Sequence, residues 1–242
     1  AGLFKTDEEA ARYQAAINDK AVNNRVYTCA DASVAHLMAG DVRFVDLNGD
    51  NIINDGDGTL NNPGDMRVIG NSLPRYTYSI RGDLNWNGFD FAVFFQGVGK
   101  IDWMPSSNCY YFWGPYSFPT TSFIASDFER MCWSEDNRNT YFPRRRSYQT
   151  SSAGAMYVKT DRYLQDASYI RLKNITLGYT IPINKRIIEK LRVYVAGENL
   201  AYWSPLKRYC KTIDPEVAVT SASDDCLYPY SRSFSVGIDV TF

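Results

Sequence analysis

The sequence lacks the features that mark membrane-spanning helices, nucleic-acid-binding proteins and the common hydrolases. No stretch approaches the roughly 18 continuous apolar residues that a membrane-spanning helix needs. The 26 basic and 27 acidic residues nearly cancel, which argues against attraction to nucleic acid. His36 is the only histidine, and neither a GxSxG motif nor a phosphate-binding Gly-rich loop is present. We therefore predict that the chain is not an enzyme and has no catalytic residues.

Cysteines are few and are not spaced for metal or redox chemistry. None of the five lies in a CxxC pair, so zinc-site and thioredoxin-like interpretations are weak. Cys109 and Cys132 lie in one candidate loop, and Cys210 and Cys226 lie in another. Disulfides within these loops would suit an oxidising compartment, with Cys29 left over. The alternative is that all five are thiols.

Aromatic residues are abundant, at 15% of the chain, and alternation marks several strands. The stretch "RYTYSIRGDLNW" has period two, which predicts a strand with one apolar and one polar face. "NWNG", residues 85–88, predicts a tight hairpin turn before the strand "FDFAVFFQG". Further strand patterns are "ASYIRLKNITLGYTI", "LRVYVAGENL" and the C-terminal "YSRSFSVGIDVTF".

The connections between these strands alternate in length. Residues 85–88 and 181–190 are short connections, whereas 98–164 and 201–229 are long. Bacterial outer-membrane barrels have short periplasmic turns and long extracellular loops, and their strands alternate between lipid-facing and lumen-facing residues. The pattern favours such a barrel, and the alternative is a soluble β-sandwich with one wet face. Near the N-terminus, Thr6 and Glu9 form a capping-box pattern that predicts one short helix.

The stretch "DLNGDNIINDGD" has the ligand spacing of a calcium loop of the EF-hand type. Oxygen ligands are expected at positions 1, 3, 5, 7, 9 and 12 of such a loop, with position 7 using its backbone carbonyl. Asn51 stands where glycine is usual, and the aspartate at position 12 could favour Mg²⁺. The alternative is a polar turn held by its own hydrogen bonds. The predicted Ca²⁺ ligands are Asp46, Asn48, Asp50, Ile52, Asn54 and Asp57.

The stretch "DWMPSSNCYYFWGPYSF" concentrates aromatic residues within one long loop. Trp and Tyr dominate the energetics of protein interfaces, so this cluster predicts contact with a substrate or a partner protein. The alternative is packing against neighbouring loops of the same chain. The predicted contact residues are Tyr110, Tyr111, Phe112, Trp113 and Tyr116.

Several stretches together resemble one family. They are "GDVRFVDLNGDNIINDGD", "RVIGNSLPRYTYSIRGDLNWNGFDFAVFFQGVG", "ASYIRLKNITLGYTIP", "LRVYVAGENL" and the terminal strand that ends in Phe242. In order along the chain, they are similar to the C-terminal quarter of a SusC/RagA-type TonB-dependent outer-membrane transporter. The resemblance implies an all-β fold of antiparallel strands from a large transmembrane β-barrel of about 22 strands, with long extracellular loops and one short N-terminal helix.

The same resemblance implies a function and partners. Such a transporter would lie in the bacterial outer membrane, in contact with lipid, and import glycans or peptides with energy supplied through TonB. A SusD-like surface lipoprotein would cap it as a lid. No stretch matches the plug or the TonB box, so we expect this chain to be part of a longer protein. The alternative is a soluble, calcium-stabilised extracellular β-domain that acts as a binding module, which would need no detergent for extraction.

Topology follows from the same interpretation. If Phe242 ends in the periplasm, residues 201–229, 98–164 and 1–72 lie outside the cell, and the two short connections lie inside. The chain would then divide into an extracellular loop region, 1–72, with the helix and the acidic loop, and a barrel region, 73–242.

Overall fold

A computed structural model describes residues 2–17, 37–106, 109–116, 126–145, 159–183, 188–218 and 228–242. Most of the regular structure is strand: β1 Gly2–Leu3, β2 Val42–Arg43, β3 Tyr76–Trp86, β4 Phe89–Gly99, β5 Asp102–Trp103, β6 Cys132–Trp133, β7 Phe142–Arg144, β8 Gln165–Asp166, β9 Tyr169–Pro182, β10 Lys190–Trp203 and β11 Ser233–Thr241. The helices are α1 Asp7–Ala16, α2 Tyr110–Trp113 and α3 Pro215–Ala218, with 3₁₀ turns at Gly114–Tyr116, Glu129–Met131 and Pro205–Arg208.

The chain separates into two compact units. One comprises the described residues within 1–70 and 104–164, and we call it the loop unit. The other comprises the described residues within 71–103, 165–222 and 226–242, and we call it the sheet unit. The predicted division into an extracellular loop region, 1–72, and a barrel region with its own extracellular loops, 73–242, stays a prediction.

The sheet unit is built on five antiparallel strands in the order β11-β10-β9-β4-β3. The predicted hairpin is present: Asn87 and Gly88 take φ of 49° and 86°, the left-handed values that a two-residue turn requires. The connection from β9 to β10 is also short, whereas the chain takes long excursions between β4 and β9 and between β10 and β11. A mainly antiparallel strand structure with few helices is thus confirmed. Barrel closure and the number of strands stay predictions.

Helix α1 begins where the capping pattern predicts. The backbone amide of Glu9 donates to the Thr6 hydroxyl at 3.2 Å, and the Glu9 carboxylate accepts from the Lys5 amide at 2.8 Å. The helix buries Ala10 in a small apolar cluster with Phe4 and Leu37, against which Tyr13 packs. Among the described residues, no helix combines the length and the apolar character needed to cross a membrane.

The long connection between β4 and β9 contains ordered structure. Strand β6 pairs with β7 in parallel, and β5 pairs with β8 in antiparallel fashion. Cys109 and Cys132 are both buried thiols here, so for this pair the structure has the second of the two alternatives. Burial raises the pKa of Cys132, whose Sγ donates to the Phe128 carbonyl at 3.3 Å. Cys210 is also a buried thiol, and Cys29, Cys226 and His36 lie outside the described residues.

Candidate functional site

One face of the five-stranded sheet is continuously apolar, because the register aligns the apolar positions of all five strands. A single row across the sheet joins neighbours Leu84, Phe91, Leu177, Val195 and Val236. The described chain leaves much of this face uncovered: Leu84 is 63% exposed and Val236 is 75% exposed. A continuous exposed apolar surface that spans five strands indicates contact with a membrane or another protein.

Aromatic side chains stand at both ends of this apolar face. At the end with the short hairpin, Trp86, Phe89 and Tyr179 form one cross-strand row, and the Phe89 and Tyr179 rings lie 4.6 Å apart. At the opposite end of the face are Tyr76 and Trp203. Tyr76 and Trp86 bound the 11 residues of β3. They are therefore about 33 Å apart along the strand, or about 25 Å in height at a tilt of about 40°, which matches the apolar band of an outer-membrane barrel.

The other face of the sheet is polar, and ion pairs cross its strands. Arg192 on β10 contacts Asp90 of β4 at 2.6 Å and Asp239 of β11 at 2.9 Å. The bond to Asp90 passes over Gly178 of β9, where a Cβ atom would collide with the Asp90 carboxylate. The Arg192 guanidinium also lies 4.7 Å from the centroid of the Tyr194 ring. This bridge joins strands across the polar face that the alternation predicted, although no sequence signal identified its partners.

The first half of the acidic loop is closed by its own side chains. The Asp46 carboxylate accepts the Asn51 amide at 2.8 Å, and the Asp50 carboxylate accepts the Ile52 amide at 2.8 Å. The Asn48 side chain donates to Asp50 at 2.9 Å. Asn51 has a φ of 58°, the left-handed conformation that its position in the loop requires. The carboxylate and amide oxygens in this half of the loop are the type of ligand atom that a hard cation prefers.

In the second half of the loop, side chains again close short turns. The Asn54 side-chain oxygen accepts the Gly56 amide at 2.6 Å, and Asp57 accepts the Thr59 hydroxyl at 2.6 Å. Hydrogen bonds from Thr59 lower the pKa of Asp57. Within the described part of the chain, no group of three or more His, Cys, Asp and Glu side chains is placed to hold a metal ion. Calcium binding by the six predicted ligands stays a prediction.

Asp65 was missed by the sequence analysis, although it fastens both ends of the acidic loop. Its carboxylate accepts the backbone amides of Leu47 at 2.6 Å and Asn54 at 2.9 Å. The Asp65 amide in turn donates to the Asn54 carbonyl at 2.8 Å. Because Asp65 lies outside the twelve-residue pattern, the loop spacing gave no signal for it.

Three of the five residues predicted to contact a partner lie in the interior of the loop unit. Trp113 is 0% exposed, and Phe112 and Tyr116 are 1% exposed. Burial raises the pKa of Tyr116, whose hydroxyl donates to the Pro143 carbonyl at 2.5 Å. These three side chains therefore pack within the chain, as the alternative held, and are corrected to core residues in this conformation.

The aromatic cluster around these residues is large. Phe112 meets Trp113 edge to face at 4.6 Å, and Tyr163 stacks on Phe142 at 6.1 Å. Tyr111 is 42% exposed. Among the predicted contact residues whose side chains are described, it alone remains a candidate for contact with a partner. The side chain of Tyr110 lies outside the described part.

Comparison with known proteins supports the resemblance seen in the sequence. The chain is 27% identical over 219 residues to TonB-dependent receptor P26 of Formosa agariphila, which covers 85% of this chain and 20% of the receptor. It is 28% identical over 199 residues to TonB-dependent receptor P3 of the same organism, covering 78% of this chain and 18% of the receptor. The chain thus spans about a fifth of the length of these curated relatives.

Neither family models nor solved structures add to the likeness found with these two receptors. No protein-family model matches the chain. Among solved structures, the RagAB peptide importer in its closed-closed state is 18% identical, with a TM-score of 0.49 over 92% of this chain and 22% of that one. At that score the likeness supports no separate conclusion. The two curated relatives are receptors rather than enzymes, and the predicted resemblance of this chain to TonB-dependent receptors is confirmed over most of its length.

Proposed function

We propose that this chain forms part of the outer-membrane wall of a TonB-dependent transporter of the SusC/RagA type. The apolar face of the five-stranded sheet contacts lipid, and the polar face lines the passage. The observation that carries the proposal is the alignment of exposed apolar residues across all five strands between two aromatic borders. Outer-membrane barrels have this arrangement of a lipid-facing apolar band, aromatic girdles and a polar interior.

The proposal extends to cargo and partners. The transporter imports glycans or peptides, draws energy from TonB through a part of the protein outside this chain, and works with a SusD-like surface lipoprotein as its lid. The exposed Tyr111 of the loop unit is a candidate contact with that lipoprotein. Bound calcium at the acidic loop holds a surface loop in shape and takes no part in transport. These assignments rest on the family resemblance.

The proposal is tested by placing a charge on each face of β11. Val236 lies on the apolar face and Ser235, its neighbour, lies on the polar face. A lipid-facing arginine costs about 2–4 kcal/mol at the bilayer midplane and less toward the borders, whereas a lumen-facing one is tolerated. The row of Val236 lies between the middle of the apolar face and its border at Trp86, so an intermediate cost is expected. We expect Val236→Arg in the full-length receptor to lower the amount of folded, heat-modifiable barrel in the outer membrane. Ser235→Arg is the matched control and should leave that amount close to the unmodified level.

Two results would contradict the proposal. Equal losses for the two variants would mean that β11 does not separate lipid from a polar interior. Release of the unmodified receptor from cells without detergent would favour the soluble binding module instead.

A further inference from the structure

A charged residue of the polar face is almost completely buried. Arg171 of β9 is 1% exposed, and its cross-strand neighbours are Gln96 on β4 and Tyr202 on β10. Its guanidinium bonds to Asp214, which is equally buried, and lies 4.8 Å from the centroid of the Tyr202 ring. A buried charge is tolerated only with a partner. The partner comes from residues Ser204–Ala218, which we call the inner segment.

A β-bulge brings a second cation to the same place. Lys173 is the extra residue of β9, because β4 pairs with Leu172 and Asn174 on either side of it. Its Nζ lies 2.7 Å and 2.9 Å from the two carboxylate oxygens of Glu216 in the inner segment. The same carboxylate is 2.9 Å from Nε of Arg171. Two cations of β9 are thus neutralised by two carboxylates of the inner segment.

Asp214 joins three parts of the sheet unit. Its carboxylate accepts the backbone amide of Glu216 at 3.0 Å and that of Tyr230 at 3.3 Å, in addition to the bond from Arg171. The Tyr230 ring is 5.3 Å from the Arg171 guanidinium and 4.8 Å from the Lys173 Nζ. Because Tyr230 precedes β11, the network fixes the inner segment at α3 and also the entry to the last strand.

The inner segment is itself a folded element. It buries Leu206, Cys210, Ile213 and Ala218, each 1% exposed. Its 3₁₀ turn is capped by Ser204, whose hydroxyl accepts the Leu206 amide at 3.2 Å. A loop that extended into solvent would not bury these side chains together with a four-charge network.

We propose that the Arg171–Asp214 pair is a latch that holds the inner segment against the polar face of the sheet. The inner segment is then a fixed constriction of the passage, and an imported solute must move past it. This inference rests on the proposed function, because the polar face lines a passage only if the sheet is a barrel wall. Removing one partner leaves the other buried and unpaired, which is far more costly than removing both.

Cys210 is a native reporter of the latch, since it is a buried thiol within the inner segment. In the full-length receptor in outer-membrane vesicles, maleimide labelling at Cys210 is followed by peptide mass spectrometry. We expect slow labelling in the unmodified receptor and a rise of about a hundredfold with Arg171→Met. The double variant R171M/D214N should return to within about tenfold of the unmodified rate.

Controls separate release of the latch from general unfolding. Cys109 and Cys132, buried in the loop unit, should stay slow in every variant. Arg81→Met removes an exposed ion pair of the same face and should leave the Cys210 rate unchanged. If R171M does not reach the membrane, Asp214→Asn takes its place, with the same rise expected. An unchanged Cys210 rate in both single variants would overturn the latch.

A second measurement tests the constriction. Ser235→Cys places a thiol on the polar face of β11, where a small hydrophilic maleimide should react from outside the cell. A polyethylene-glycol maleimide should be excluded while Arg171 is present and admitted with R171M. Equal reaction of the large reagent with and without Arg171 overturns the constriction. Failure of the small reagent at Ser235→Cys instead contradicts the proposed function, and the Cys210 result is independent of it.

Discussion

The sheet unit and the loop unit use aromatic residues in opposite ways. On the sheet, Trp86 is 71% exposed and stands at the border of the apolar face, whereas Trp113 of the loop unit is fully buried in an aromatic cluster. Burial of apolar surface away from water drives the packing of the loop unit. The same hydrophobic effect lets the aromatic side chains of the sheet face outward where the surroundings are hydrocarbon and not water. Under the proposed function, water surrounds the loop unit and lipid contacts the apolar face of the sheet, which accounts for the different exposure of their aromatic side chains.

The largest effect expected from breaking this contrast is in the loop-unit core. Replacing Trp113 with Ala removes edge-to-face contacts with Phe112 and Tyr163 and the indole bond to the Ser106 carbonyl at 2.6 Å. We expect the free energy of unfolding of this unit to fall by about 3–5 kcal/mol. Hydrogen exchange of the loop unit in the full-length receptor measures the change. Tyr111→Ala is the control, expected to cost less than about 1 kcal/mol, and an equal loss there would refute the buried-core assignment.

A smaller effect is expected when a side chain replaces a glycine on one face of the sheet or on the other. A Cβ on Gly237 would collide with the Tyr194 ring on the polar face, whereas at Gly82 on the apolar face it meets only Val93, at 3.4 Å. We expect Gly237→Val to destabilise the barrel by about 1–3 kcal/mol, because Tyr194 must leave its place over Arg192. Gly82→Val should have little effect. Thermal or urea loss of heat-modifiable mobility compares the two variants, and a larger loss for Gly82→Val would contradict the assignment of faces.

A weaker effect is expected when the hydrogen bonds of Asp65 to the acidic loop are removed. Asp65→Ala removes the acceptor for the Leu47 and Asn54 amides, and we expect a loss of about 1–2 kcal/mol in the local stability of residues 46–65. Limited proteolysis or hydrogen exchange of this segment measures it. Leu60→Ala changes a fully exposed side chain of the same segment and should leave its stability unchanged. If it loosens the loop as much as Asp65→Ala does, Asp65 is not the fastening residue.

The smallest effect concerns calcium. We expect millimolar calcium to raise the protection of residues 46–57 in the unmodified loop, and to have no effect after Asp46→Ala, because the first ligand is lost. Hydrogen exchange with and without calcium makes the comparison. Protection that does not respond to calcium in the unmodified protein would leave the loop a polar turn held by its own hydrogen bonds.

Local features of the sequence predicted the sheet well. Because successive side chains of a strand point to opposite faces, alternation alone predicted the apolar and the polar face of β3. The turn at Asn87–Gly88 and the Thr6 cap were equally local, since each depends on residues close together in the chain.

The bulge at Lys173 left a signal in the sequence that was not used: the two consecutive polar residues Lys173 and Asn174 shift the apolar positions of this strand from even to odd numbers. Features set by long-range packing were not predictable in this way. The burial of Phe112 depends on ring contacts with Phe142 and Tyr163, which are distant in the sequence. The aromatic core of the loop unit therefore could not be read from the local pattern. Arg171 and Asp214 likewise meet only after the inner segment folds onto the sheet.

Single cysteines along β11 show whether the sheet separates lipid from a polar interior. Each position from 234 to 241 except Gly237, where a Cβ would collide with the Tyr194 ring, is labelled in turn in the full-length receptor with an environment-sensitive fluorophore and exposed to a lipid-dissolved or a water-soluble quencher. We expect strict alternation: the lipid quencher acts at 234, 236, 238 and 240, and the water-soluble one acts at 235, 239 and 241. Quenching by the water-soluble agent at every labelled position would contradict the separation.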